Sequence, residues 1–178
     1  QLMEKKGNLI WESVQKLKIK MKIEKVGFSI YSTKELDRLL NSYTPEIVQV
    51  PYNILDQRIV TSGWLEELIK LKVEVHARSI FLQGLLLMTK NDRPKKFSKW
   101  SNIWNQWEKY LSSNNLSALQ ASLAFVLKNK KFDKIIIGVQ SVKQLKEIIE
   151  NTSCQIPSFP EFEVHDISLL DPSKWSQI

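Results

Sequence analysis

Val26-Gly27-Phe28-Ser29-Ile30-Tyr31-Ser32-Thr33-Lys34-Glu35-Leu36-Asp37-Arg38-Leu39-Leu40 reads as a strand running directly into a helix. Val26 to Tyr31 is short and apolar, as a buried strand requires. Ser32 followed by Glu35 has capping-box spacing, in which each side chain can serve the other's backbone amide at a helix start. Leu36, Leu39 and Leu40 then share one helical face. The same grammar recurs downstream. Pro45 precedes a strand over Ile47 to Val50, and beyond the segment from Pro51 to Ser62 a helix buries Trp64, Leu65, Leu68 and Ile69. A third strand runs from Val73 to about Ile80. A fourth, Phe132 to Ile137, has the continuous apolar character of strands buried on both faces. Ser141 with Gln144 opens a last helix that buries Leu145, Ile148 and Ile149. Upstream, Ile10, Val14 and Leu17 mark a leading helix from Gly7 to Lys20, closed by the basic stretch Lys18 to Lys25.

Between the third strand and the next core helix lies a long connection, Gly84 to Asn115. Loops beyond about 15 residues carry function or hold structure of their own, and Ile103, Trp104, Trp107 and Leu111 are spaced as a short helix inside this one. Ser117 with Gln120 starts the following helix, which runs through Leu127. The organisation is thus a leading helix plus four strand-helix units over 1–150, then a tail over 151–178 with Pro157, Pro160 and Pro172 that wraps the surface. Strands alternating with helices imply an α/β fold with a parallel sheet and right-handed crossovers. On pattern alone an open doubly wound sheet and half of a (β/α)8 barrel fit equally. No Gly-x-Gly-x-x-Gly follows any strand, which weakens a Rossmann-type fold. A complete barrel needs about 250 residues.

The chain has 178 residues, enough to bury a core without disulfides or metals, and 43% hydrophobic with 25% charged residues is a globular balance. No apolar run approaches the roughly 18 residues of a membrane span. His76, His165 and Cys154 are scattered, so no metal site is expected. A lone cysteine fits a reducing compartment, and the cytoplasm is expected. The net charge of +7 raises nucleic acid as a partner, but most lysines lie along helices as solvated faces, so none is expected. One dense basic cluster, Lys90, Arg93, Lys95, Lys96 and Lys99, is either an exposed loop or an attractor of an anionic ligand. Gln1 in the first position, opening almost at once into a helix pattern, leads us to expect a segment of something longer.

In parallel α/β architectures the ligand site lies at the C-terminal ends of the strands. The residues there are Ser29, Gln49 with Tyr52 and Asn53, Arg78 with Ser79, and Gly138 to Ser141, small or polar where structure alone would not demand it. Each by itself has a plain explanation in turn formation.

Four stretches taken together resemble the C-terminal half of the aldo-keto reductase family. They are Val26-Gly27-Phe28-Ser29, Val48-Gln49-Val50-Pro51-Tyr52-Asn53-Ile54-Leu55, Arg78-Ser79-Ile80-Phe81-Leu82-Gln83-Gly84-Leu85-Leu86 and Ile136-Ile137-Gly138-Val139-Gln140-Ser141. The resemblance implies the C-terminal half of a (β/α)8 TIM barrel, strands five to eight, from an oxidoreductase that reduces a carbonyl with NADPH or NADH. It also implies that Ser29 and Gln49 hold the nicotinamide carboxamide, whose donor and acceptor a glutamine amide can both answer. The pyrophosphate falls to Ser79, Phe81, Gln83 and Gly84, and the rest of the cofactor to Gly138, Val139, Gln140 and Ser141, helped by the amides of a helix start. The sequence looks most like bacterial members from sugar-related gene neighbourhoods, so a small, sugar-related carbonyl substrate is implied.

The sequence departs from the family at three places. Ile30 follows Ser29 where many members have Asn. Arg78 stands where many stack a tyrosine on the nicotinamide, and a cation there favours the reduced, uncharged ring. At the adenosine end Gln144 and Ile148 replace an arginine and an asparagine and only Glu147 is retained, so NADH and NADPH both stay open, with the basic loop a candidate substitute anchor. The family's proton-moving tyrosine, lysine, aspartate and histidine come from the first four strands. Tyr31, Tyr43, Tyr52 and Tyr110 have no such partners in the sequence, and His76 sits within a strand as a core or wall residue. No catalytic residue is therefore expected in this chain, which alone should be inactive. Its expected partner is the missing N-terminal half or a second copy, joined through bare strand edges. The alternative reading is a non-catalytic nucleotide-binding or regulatory module of the same fold.

Overall fold

The computed structural model describes residues 1–154, 156 and 158–177. In chain order the regular elements are α1 (Gly7–Met21), β1 (Gly27–Ser29), α2 (Lys34–Leu40), β2 (Ile47–Pro51), α3 (Arg58–Thr61), α4 (Trp64–Lys70), β3 (Glu74–Arg78), α5 (Ser101–Ser113), α6 (Ala118–Lys128), β4 (Lys134–Ile135), α7 (Val142–Glu150) and α8 (Ile167–Leu170). Short 3-10 turns cover Leu85–Leu87, Lys95–Trp100 and Pro172–Gln177. The strands form one parallel sheet in the order β1-β2-β3-β4, which is the order of the sequence. Parallel neighbours need long crossovers, and the helices between strands provide them. No helix among the described residues is long and apolar enough to cross a membrane.

The chain forms two compact units. The first comprises Gln1–Pro51, Arg58–Ala77 and Lys131–Lys134 and holds the sheet apart from the terminal residues Arg78 and Ile135. β1 and β2 pair with Gly27 opposite Ile47, Phe28 opposite Val48 and Ser29 opposite Gln49. A Cβ at Gly27 would stand 1.7 Å from the Ile47 carbonyl oxygen, so only glycine permits this approach. Along β2 the period of two is clean: Val48 and Val50 are buried, with Gln49 half-exposed on the other face. Leu36 and Leu39 of α2 and Leu65 and Leu68 of α4 are buried in the same unit. Ion pairs fasten the entrances to the strands. Glu46 takes the Lys18 ammonium and the Val26 amide, and Glu74 takes the Lys25 ammonium and His76 Nε2, the latter at 2.6 Å. The Lys25 ammonium, and after it His76, hold the Glu74 carboxyl down to about 2.

The second unit comprises Tyr52–Gln57, Arg78–Lys130 and Ile135–Ile178. Its core is aromatic, with Phe97, Trp100, Trp104 and Trp107 buried among Leu85, Leu86, Ala121, Ala124, Leu169 and Leu170. Each indole N–H finds an acceptor, as burial demands. Trp107 donates to Leu86 O at 3.0 Å, Trp104 to Phe97 O at 2.9 Å and Trp100 to Asp166 Oδ2 at 3.1 Å. The basic cluster is drawn into this structure. Arg93, its side chain 5% exposed, pairs with Glu108 and lies 4.3 Å over the Trp104 ring. Lys96 donates to Trp175 O, and Lys99 sits 4.1 Å over Trp100. Half-desolvated cations on indole faces are favourable contacts that hold the loop down.

Several elements differ from the sequence expectation. β1 and β3 are shorter than expected, because the chain bends at Tyr31 and Ser32 and turns at Ser79, where φ is 55°. The segment after β2 contains α3 and α4 rather than one helix, and Ile69 is exposed while Trp64 is half-buried. α5 is a full 13 residues, since Trp104 and Trp107 give it a core face. Glu35 does accept the Ser32 amide at 3.0 Å, but Ser32 Oγ serves Lys34 and the cap residue is Thr33; Leu40 is only half-buried. β4 spans two residues and is not buried on both faces, with Lys134 exposed and Ile136 39% exposed. α7 buries nothing: Leu145 is 44% and Ile149 59% exposed, and Ile148 is intermediate. An apolar stripe fixes which face seeks cover, and no described element covers these two. The tail contributes Ile156, Leu169 and Leu170 to the aromatic core instead of merely wrapping the surface; Pro157 lies outside the described residues.

Candidate functional site

Within the second unit a cleft of about 940 Å³ opens where β3 ends and β4 has passed. One wall is the turn after β3, with Arg78, Ser79, Ile80, Phe81, Gln83, Gly84 and Leu87. A second wall is the start of α6, at Ser117, Ala118 and Leu119. The third runs from Ile136 through Gly138, Val139 and Gln140 to Gln144, Glu147 and Ile148 on α7.

The turn after β3 is conformationally unusual. Ser79, Leu82, Gln83 and Gly84 all have positive φ, at 55°, 46°, 54° and 86°. Left-handed backbone costs a non-glycine residue roughly 1–2 kcal/mol, so three such residues need something to hold them. Here Asn53 Nδ2 and the Leu82 amide both donate to Ser79 O, at 3.1 and 2.9 Å, and the Leu82 side chain is 1% exposed. The amides of Phe81, Gln83 and Gly84 serve no acceptor among the described hydrogen bonds, although their residues line the cleft. Successive backbone amides without internal acceptors in such a turn are suited to an anion. A Cβ at Gly84 or at Gly138 would meet nothing within 4 Å, so no protein packing demands glycine at either position and both leave room at the cleft wall.

The two helix starts at the cleft are closed to different degrees. At α6 the Ser117 hydroxyl accepts the Gln120 amide at 3.1 Å and Gln120 Oε1 accepts the Ser117 amide at 2.9 Å. At α7 Ser141 Oγ accepts the Gln144 amide at 3.2 Å, while Gln144 Oε1 reaches the Gln140 amide at 2.8 Å. The Gln140 amide is thereby engaged within the chain, and Ser141 stands outside the lining. Among the described residues, Arg78 and Glu147 are the only Asp, Glu, Lys, Arg or His residues in the lining, and Arg78 Nη1 donates to Ser79 Oγ at 3.0 Å. None of the basic-loop residues lines the cleft, which removes them as a substitute anchor there.

Ser29 and Gln49 belong to the first unit. As register partners on parallel strands they direct their side chains to the same face of the sheet, with strands roughly 4.8 Å apart. Ser29 also borders a groove with Trp11, Phe28 and Glu35. Asn53 is fully buried and structural, its Oδ1 accepting the amides of Leu55 and Asp56 at 3.0 and 2.9 Å. Tyr52 is buried and stacked on Phe125 at 5.3 Å; burial pushes its phenol up, as it does for Tyr110. The Tyr43 hydroxyl lies 3.0 Å from Leu2 O and 2.9 Å from Asn8 Oδ1, two acceptors for its single proton. His76 lies in β3 with Nε2 on Glu74 and a buried Nδ1 that has no partner.

Sequence reasoning named most of the strand-end lining but missed Leu87, Ser117, Ala118, Leu119 and Ile148 as lining. The Ser117–Gln120 box was the available signal, because a helix start presents amides, yet it served only to locate α6. Among the described residues no three His, Cys, Asp or Glu side chains converge to hold a metal.

Comparison with solved structures gives similarity to the apo form of the aldo-keto reductase AKR11C1 from Bacillus halodurans, with TM-score 0.64, 16% identity and coverage of 94% of this chain and 57% of that one. The holo form of the same enzyme aligns with TM-score 0.60 at 16% identity, over 90% of this chain and 53% of that one. A thermostable aldo-keto reductase, Tm1743, in complex with the inhibitor epalrestat, aligns with TM-score 0.55 at 20% identity, over 90% and 52%. The chain thus spans about half the length of the structures it matches. At these identities the likeness is one of fold. No curated protein matches the sequence. The Aldo/keto reductase family description matches residues 6–167. Nearly the whole chain is covered, and the protein belongs to the aldo/keto reductase family.

Proposed function

We propose that this chain is the cofactor-holding portion of an NAD(P)H-dependent carbonyl reductase, the C-terminal half of a (β/α)8 barrel whose proton-moving residues lie in a preceding half. The observation that carries the reading is the cleft at the end of β3, with its strained turn and three amides lacking internal acceptors, in a chain of this family. Amides of Phe81, Gln83 and Gly84 would hold the pyrophosphate, Gly138 and Val139 would give it room, and Gln144 and Glu147 would meet the adenosine. Ser29 and Gln49 would hold the carboxamide, a role supported by their register and by the family resemblance. When bound, the nicotinamide supplies a hydride for a carbonyl carbon.

Among the described residues, the two tyrosines whose pKa is shifted do not suit the matching proton transfer. A tyrosine that donates near neutrality must have its pKa lowered from about 10, whereas Tyr52 and Tyr110 are shifted upward. The exposed apolar side of α7 and the two sheet edges, β1 and β4, support completion by the preceding half of the barrel, which we propose as the partner; coverage of 52–57% of the matched structures is in keeping with that. The compartment proposed is the cytoplasm and the substrate a small carbonyl compound.

Fluorescence titration of the purified chain with NADH and NADPH, followed by an assay of carbonyl-dependent cofactor oxidation, tests both parts. Binding without turnover is expected. Absence of any binding removes the cofactor role, and turnover by the chain alone removes the division of labour.

A further inference from the structure

We propose that His76 is a positioning residue for Gln49: its buried Nδ1 accepts an amide hydrogen from Gln49 when that side chain holds a carboxamide. This role rests on the reading of Ser29 and Gln49 as the carboxamide holders, and His76, Glu74, Gln49 and Ser29 all lie within the first unit. Its basis is an acceptor without a donor. His76 is 6% exposed, and its Nδ1 is buried with no hydrogen-bond partner among the described residues. The other ring nitrogen is committed. Nε2 lies 2.6 Å from Glu74 Oε1, and the same carboxylate takes the Lys25 ammonium, with Lys134 Nζ at 3.6 Å. A carboxylate can only accept, so the proton of the Glu74 contact is carried by Nε2. Nδ1 is then the lone-pair end of the ring, and a buried acceptor left without a donor is costly.

The strand register supplies the donor. The Glu74 amide bonds to Glu46 O at 3.0 Å, and the Tyr52 amide bonds to Arg78 O at 3.1 Å. In a parallel ladder the first bond sets Glu74 opposite Ile47 and the second sets Arg78 opposite Pro51, the same offset at both ends of the pair. His76 therefore stands opposite Gln49, which itself stands opposite Ser29. Opposed residues on parallel strands share a face, so Ser29, Gln49 and His76 form one row across β1, β2 and β3, with roughly 4.8 Å from strand to strand. A glutamine amide is long enough to cross that gap. Unrestrained, it can turn either end toward a ligand. With one N–H on His76 Nδ1 the amide is fixed, and Oε1 is the end offered to the nitrogen of a carboxamide. The ring can act as such a stop because Glu74 holds it from the other side, and because Asp133 Oδ2 accepts the Val75 amide at 2.8 Å and fastens the backbone of β3 beside it.

The test is a titration of the full chain with NADH and with ADP-ribose, which has no nicotinamide, repeated with His76→Phe, His76→Asn, Gln49→Ala and the His76→Phe, Gln49→Ala double variant. His76→Phe should weaken NADH roughly threefold to tenfold, the scale of one neutral hydrogen bond, and leave ADP-ribose unmoved. His76→Asn, which keeps an acceptor close to the ring nitrogen's place, should recover most of that loss. The double variant should lose less than the two single losses combined, because both remove the same contact. Equal weakening of NADH and ADP-ribose would make His76 a purely structural residue and overturn this role while leaving the cofactor site in place, and additive losses would do the same. Should the variants fail to fold, nitrogen NMR of the histidine rings in the unmodified chain decides. NADH, but not ADP-ribose, should shift the Nδ1 resonance of His76 as the acceptor bond forms; an Nδ1 that carries a proton, or one that NADH leaves unmoved, would overturn the role. If NADH did not bind the unmodified chain at all, the cofactor reading and the positioning role would fall together.

Discussion

Helices α6 and α7 begin in the same way and finish in opposite surroundings. Each follows a serine cap whose hydroxyl takes the amide three residues on, each carries an apolar stripe, and each contributes to the cleft. α6 buries Ala121, Ser122, Leu123, Ala124 and Val126, whereas α7 buries no residue and exposes Val142 by 71%. The contrast teaches that amphipathic spacing and capping chemistry are local, while burial is a property of whatever lies opposite. For α6 that is the aromatic core raised by α5 and the tail. For α7 no such cover is found among the described residues, and none of its residues is buried.

Leu123→Ala breaks the comparison most sharply. Leu123 is 1% exposed, and deleting its side chain should cost about 2–5 kcal/mol in urea unfolding, with the cavity adding to the lost transfer energy. A loss below about 1 kcal/mol would mean that α6 is no better packed than α7.

Acid should act next, and through the first unit. Glu74 is held down to about 2 from an ordinary value of 4.5, so its contribution is complete above pH 4.5 and fades as the pH falls toward 2. The unfolding midpoint should drop over that window, and Glu74→Gln should flatten the drop. An unchanged acid profile in the variant would show that the contacts of Lys25 and His76 carry no stability.

Capping gives a smaller and more pointed contrast. Ser117→Ala removes one arm of a complete box and should cost about 1 kcal/mol by chemical denaturation. Ser141→Ala should leave global stability nearly unchanged, because α7 can fray without opening the core; amide hydrogen exchange should instead report faster opening of α7 alone. The smallest effect is expected for Leu145→Ala, within about 0.5 kcal/mol in the isolated chain. Adding the preceding half of the barrel should raise that cost, and an equal cost with and without it would mean that α7 stays uncovered.

Much of the fold was legible because its signals are local. The strand cores at Val26 to Ser29, Ile47 to Val50 and Glu74 to Arg78, the Ser117–Gln120 box and the cap at Ser141 all follow from spacing within a few residues. Gln49 facing away from Val48 and Val50 follows from the period of two. Positive φ at Ser79, Leu82 and Gln83 was not legible, because these residues disfavour it and contacts such as those of the buried Asn53 and Leu82 keep the turn in place. The fate of the basic loop was equally hidden. Lys96 and Lys99 read as free charge until the distant tail brings Trp175 O and the Ser168 hydroxyl within reach of their ammonium groups.

Sequence alone therefore determined the alternation of strands and helices, the apolar face of each element and the strand ends where a ligand could lie, since those depend on near neighbours and fixed backbone periods. Tertiary structure alone decided which apolar faces are covered, which cations are engaged and which residues come together at the cleft. Those outcomes depend on groups far apart in the chain, and spacing along the backbone carries no record of what will stand across from it.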